Sequence, residues 1–253
     1  MSTIIASTEL LTKQAQTNVS AMGGVLVANK PVAGGRLADG RTSSALFYWS
    51  HSHFTEDFEF GLHDHQGFEI ITVILEGSNS HYDTATRRWA DLVAGDVQII
   101  QSGSGVSHNE RVAKGARAFQ IWFDPDFYSA LKRPATYRDH ASKEFPRKDH
   151  DGYTVIPIAG LGGPVNVSTP GLIMQRVQVS PFAQATLPLA PDHRAFCYVI
   201  EGSVRINDSL AERDDLVTSA RTTDLTIAAG PRPADIFIIT LPKNPAYTPV
   251  LGR

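Results

Sequence analysis

The chain has 253 residues, of which 42% are hydrophobic and 19% charged, and a formal net charge of −3. That length supports one large all-β domain or two smaller ones with real cores, and the near-neutral charge without a basic stripe argues against nucleic-acid binding through phosphates. No run is apolar and long enough for a bilayer, the first residues lack the basic and apolar regions of a signal peptide, and the single Cys197 cannot form an internal disulfide, so a cytoplasmic protein in a reducing compartment is expected.

Taken in order, residues 1–20 are polar and mixed, with one short helix expected over 4–14. Residues 24–29 read as a strand, followed by turn signals at Pro31, Gly34-Gly35 and Asp39-Gly40. Residues 44–54 are aromatic-rich and partly alternating, as in a strand, and Thr55-Glu56-Asp57 breaks them. Residues 68–75, FEIITVIL, are an almost unbroken β-branched and aromatic run, the pattern of a strand buried on both faces. A turn at Glu76-Gly77 returns the chain through 78–83; 97–100 comes after a second turn at Gly95-Asp96, and 116–123 closes the first unit. Composition then shifts: residues 124–151 carry prolines at 125, 134 and 146 and many charges, with one helical turn expected near 127–132. Strands resume at 153–158, 172–179, 196–200, 204–207, 225–228 and 236–241, and helical periodicity is nearly absent throughout.

The two halves echo each other. Glu76-Gly77-Ser78 ends an apolar strand in the first, and Glu201-Gly202-Ser203 ends one in the second. A repeated β-rich unit implies two similar barrels or sandwiches. The expected boundaries are a front domain over 1–130, a connector over 131–151 and a back domain over 152–253. Aligned on the echo, Pro188 and Ala190 stand where the front half has His63 and His65, so the back domain is expected to lack a metal site.

Those histidines carry the chemistry. His63 and His65 are two apart, as are His108 and Glu110. In a strand, residues i and i+2 face the same side, so each pair can aim two ligands at one point. Three imidazoles and a carboxylate suit a first-row metal such as iron, nickel, copper or zinc. His51 and His53 share the spacing without a tied His-x-Glu partner and are expected to stay off the metal. Glu69 has the parity of His63 and His65, so strand geometry alone leaves it open as a ligand. His81 and Asp83 are read as barrel packing or turn hydrogen bonding, His193 as structural or surface, and Cys197 as a buried, inert thiol.

The motifs H63-D-H65-Q-G-F-E69, V-I-L-E76-G77, G95-D96-V-Q and G-S-G-V-S-H108-N-E110 resemble the pirin family of bicupins, strongly over residues 60–125 and weakly beyond. The resemblance implies an all-β fold of two cupin barrels packed face to face. It implies one metal in the front barrel, usually iron, with ligands corresponding to His63, His65, His108 and Glu110, and it favours Glu110 over Glu69, which becomes a supporting carboxylate. Some bacterial members of the family are similar to quercetin 2,3-dioxygenases, and animal members act as nuclear transcription cofactors. The expected activity is therefore Fe(II)-dependent dioxygenation of a flavonol or a related enolisable aromatic compound, with dioxygen as co-substrate and Glu110 as general base. Coordination chemistry alone also admits Ni, Mn, Co, Cu or Zn. The alternative is a metal-binding regulator that reports to a protein partner; neither reading calls for nucleic-acid or membrane contact. Asp64 and Gln66 stand where the family commonly has Pro and Arg, which bears on the cleft entrance rather than the ligands.

Overall fold

The computed structural model describes residues 7–250, which divide into two compact units. Of the described residues, one unit holds 17–144 and 246–250, the other 7–16 and 145–245.

In the front unit the larger sheet runs Thr136–His140, Val97–Gln101, Glu69–Glu76, Arg117–Phe123, Leu46–Phe54, Leu26–Ala33, Thr17–Ala21, with Arg36–Leu37 beside Leu26–Ala33. The smaller sheet runs Trp89–Val93, Ser78–Asp83, Val106–Val112, Phe58–Glu59, and His63–His65 also pairs with Val106–Val112. The apolar run read from the sequence becomes Glu69–Glu76, paired on both sides and buried from Glu69 to Ile74. Apolar residues from both sheets share the interior: Phe54 packs with Val112 and Ala116, and Ile70 and Ile100 pack with Val106.

In the back unit the larger sheet runs Ser7–Leu11, Leu216–Ala220, His193–Glu201, Ala234–Pro242, Ile173–Val179, Tyr153–Ala159, Lys148–His150. The smaller runs Gln184–Pro188, Asp224–Ala229, Ser203–Ile206, Ser209–Glu212. Its interior is aliphatic, with Val177, Cys197, Ile206, Leu225, Ile227 and Ile236 in one buried cluster.

The repeated Glu-Gly has a steric cause. Gly77 and Gly202 have φ of 73° and 89°, each where the chain leaves a large sheet for a small one. A Cβ on Gly77 would lie 2.9 Å from Ala116 Cα, and one on Gly202 would lie 2.5 Å from Pro233 O. Only glycine meets both demands cheaply.

The structure differs from the expected elements in two places. The helix expected over 4–14 begins outside the described residues; its described part is the strand Ser7–Leu11, paired with Leu216–Ala220, followed by the start of the 3-10 turn Lys13–Ala15. Pairing with a distant sheet edge overrides the local pattern. The stretch expected as a connector, 131–151, is drawn into both sheets: Thr136–His140 pairs with Val97–Gln101, and Lys148–His150 pairs with Tyr153–Ala159. The unit boundary thus falls at 144/145, and of the described residues 7–16 group with the back unit instead of the expected 1–130 domain. The helical turn expected near 127–132 is the short helix Phe127–Ala130. Among the described residues no helix is long and apolar enough to cross a membrane.

Candidate metal centre

The strand Val106–Val112 positions the site. Its burial alternates, which turns His108 and Glu110 inward together. On one side His63 pairs with His108 and His65 with Val106; on the other His81 pairs with Glu110 and Asp83 with His108. Three short strands thus bring four imidazoles and two carboxylates from distant sequence into one patch.

One donor atom each from His63, His65 and His108 lies within 4.8 Å of the others. Ring centroids are 4.3 Å apart for His63–His108, 4.7 Å for His65–His108 and 5.1 Å for His63–His65. Donors bonded at about 2.1 Å to one ion stand at most about 4.2 Å apart, so a small closure of these side chains would complete a coordination sphere. Glu110 does not join this trio within the same limit; it groups with His108 and His81.

His108 is fully buried, and neither of its ring nitrogens has a hydrogen-bond partner. Such a group is costly to bury bare and is what a metal ligand looks like without its ion. Burial pushes the His108 pKa down to about 2, with His65, His63 and His81 adding repulsion. Burial, then the neighbouring His63, pushes His65 down to about 4. Both rings are therefore neutral near pH 7, the state in which imidazole offers a lone pair. His63 Nδ1 is 2.9 Å from Gly61 O, which fixes the N–H there and leaves Nε2 to ligate. Burial raises the Glu110 pKa, against the opposing pull of His63, Asn79 and Gln120. The amides of Asn79 and Gln120 each lie 3.5 Å from a Glu110 oxygen. The residues present fit a divalent transition ion.

Glu69 is buried and accepts a 2.7 Å hydrogen bond from Gln101 Nε2, away from both ligand groups. His51 lies against Arg117 Nη2 at 3.0 Å and on the Phe119 edge, and His53 is exposed; neither belongs to a ligand group. His193 pairs with Asp192, and burial raises the pKa of the Cys197 thiol. Phe54, Phe58 and Phe60 pack on one another, and Phe54 and Phe60 also line the small inner cavity behind Glu110. Sequence reading missed Trp122, whose ring meets His65 edge-on at 4.8 Å and Phe68 at 6.0 Å. It also missed the part His81 plays in the second ligand group.

Cavity sizes separate what could enter from where. An open cleft of about 490 Å³ is lined by His65 with Asp64, Gln66, Thr84, Val106 and Ser107. Behind Glu110, Asn79 and Gln120 lies an inner cavity of about 40 Å³, room for a few waters only. A depression of about 640 Å³ in the back unit has none of the clustered histidines in its wall.

Residues 40–123 match the pirin family model. A Zymomonas mobilis protein, whose name assigns it provisionally to the quercetin 2,3-dioxygenases, is 27% identical over 205 residues, covering 78% of this chain and 82% of its own. A quercetin 2,3-dioxygenase structure from Acinetobacter baumannii superimposes with a TM-score of 0.78 at 22% identity, over 97% of this chain and 91% of that one. The bacterial pirin YhhW from Escherichia coli, solved in complex with nickel(II), gives 0.77 at 20% identity, over 93% and 99%. These structures share the bicupin fold of this chain. The family model over residues 40–123, the relatives and the fold agree with the resemblance carried by the histidine and glycine motifs, and the chain is similar to the pirins in its front unit and in its fold.

Proposed function

We propose that the front unit holds one divalent transition metal, iron in the first instance, on His63, His65 and His108 with Glu110, and acts as a dioxygenase on a flavonol such as quercetin or a related enolisable aromatic compound. The observation that carries this reading is the trio of converging imidazoles, one of them wholly buried with both nitrogens lacking hydrogen bonds. The open cleft bordering His65 adds to it, because its volume lies in the range of small-molecule sites. The inner cavity is roughly a tenth of that size, so a flavonol would have to approach from the His65 side.

When bound, the ion supplies Lewis acidity that lowers the pKa of an oxygen held beside it. The chain's own residues supply the rest. Glu110, with its pKa raised by burial, takes the proton of the substrate's enolic hydroxyl. Asn79 and Gln120 hold its carboxylate in place. Gly61 O keeps His63 in one tautomer. Trp122 and Phe68 flank the His65 side with aromatic surface on which a flat substrate can lie.

The test is oxygen uptake. Purified protein loaded anaerobically with Fe(II) should consume dioxygen when quercetin is added, with loss of the flavonol absorbance. No uptake from fully loaded protein, across a panel of flavonols, would overturn the dioxygenase reading and leave metal-dependent binding of a protein partner as the role to pursue.

A further inference from the structure

His81 has no part in the three-histidine group, yet the fold gives it the features of a ligand. It stands directly opposite Glu110 in the ladder between Ser78–Asp83 and Val106–Val112. One donor atom each of His81, His108 and Glu110 lies within 4.8 Å of the others. His81 is fully buried; its Nδ1 has no hydrogen-bond partner, and its Nε2 has only Asp83 Oδ2, 3.4 Å away. A buried ring nitrogen without a partner is uncommon in a core and calls for an explanation.

Its surroundings fix the ring. Tyr137 stacks on it at 4.8 Å and 11°, and the Tyr137 hydroxyl donates to Asp139 at 2.6 Å. Asp83, also fully buried, places Oδ2 3.4 Å from His81 Nε2, while its Oδ1 accepts the backbone N–H groups of Ala85 and Thr86. A carboxylate placed to draw one imidazole N–H leaves the other nitrogen's lone pair for an ion. Two imidazoles and a carboxylate form the donor set of a facial triad, which suits Fe(II) and its neighbours.

We propose that His81, His108 and Glu110 form an inner metal seat that accepts the ion in alternation with the outer seat of His63, His65 and His108 with Glu110. The inference rests on reading the histidine trio as a metal centre. His108 and Glu110 belong to both seats, and two divalent charges so close would repel strongly, so one ion per chain moves between them.

Chelator competition with Co(II) on the full chain tests this. Wild-type protein should bind one Co(II). The double variant His63→Ala/His65→Ala should still bind one, 10- to 100-fold more weakly, and adding His81→Ala should weaken binding at least a further 100-fold. His81→Ala alone should cost less than tenfold, because the outer seat remains. A double variant that binds no Co(II) while wild type does, or a triple variant that binds as the double does, overturns the inner seat. A wild-type protein that binds no Co(II) overturns the metal-centre reading itself. Should the double variant not fold by circular dichroism, anomalous scattering from wild-type crystals soaked in Co(II) decides. Density bonded to His81 upholds the proposal, and density confined to the outer trio overturns it.

Discussion

Replacing His108 by Leu should stabilise the metal-free protein while removing its response to metal. The side chains are similar in size, so the substitution fills the same buried volume. The imidazole carries one donor and one acceptor without partners, and each unsatisfied buried group costs about 1–3 kcal/mol. Removing both should gain about 2 kcal/mol at the low end of that range, a rise in Tm of about 4–8 °C for a chain of this size. Wild-type protein should gain about 4 kcal/mol when free metal is a thousandfold above Kd; the variant should gain nothing. Differential scanning fluorimetry with chelator and then with graded Co(II) reads both effects. A metal-free variant less stable than metal-free wild type by more than about 1 kcal/mol, or one whose Tm still climbs with Co(II), would refute the reasoning.

The same geometry sets other expectations. Unfolded imidazoles protonate near pH 6.5, whereas folded His65 and His81 hold out to about 4 and His108 to about 2. The unfolded state therefore binds more protons across that window, and metal-free stability should fall as pH drops from about 6.5 toward 4; urea titrations at stepped pH would show a flat profile if the rings are not desolvated. Glu110→Gln should weaken metal binding and, at saturating metal, lower kcat on an accepted flavonol by about 10²–10⁴; an unchanged kcat at saturating metal would remove Glu110 as the base. Gly77→Ala combines a φ of 73° with a 2.9 Å clash on Ala116 Cα. It should cost about 1–3 kcal/mol in urea denaturation, more than Gly40→Ala, where φ is 90° but the space is open.

Much of the fold was legible because local pattern and burial coincide. The run 68–75 reads as a strand buried on both faces, and Glu69–Ile74 are buried without alternation in a strand paired with a neighbour on each side. Strand parity placed His108 and Glu110 on one face, and the ladder with His63–His65 brings three rings together. What sequence could not show was cross-strand registry. His81 looked like packing because its neighbours in sequence are polar and ordinary, and its significance comes from sitting opposite Glu110, on another strand. The same reason hid the strand Ser7–Leu11, whose partner Leu216–Ala220 lies some two hundred residues away. The stretch 131–151 looked like a linker because Thr136–His140 and Lys148–His150 are polar edge strands, paired with a neighbour but with little apolar surface to bury.

X-ray absorption spectroscopy on metal-loaded protein, together with elemental analysis, meets the account where it is most exposed. One ion per chain, with imidazole scattering that diminishes in the His63→Ala, His65→Ala and His108→Ala variants, is the predicted result. An ion-free protein under metal-replete conditions, or an ion whose imidazole signal depends on His51 and His53 instead, would contradict it.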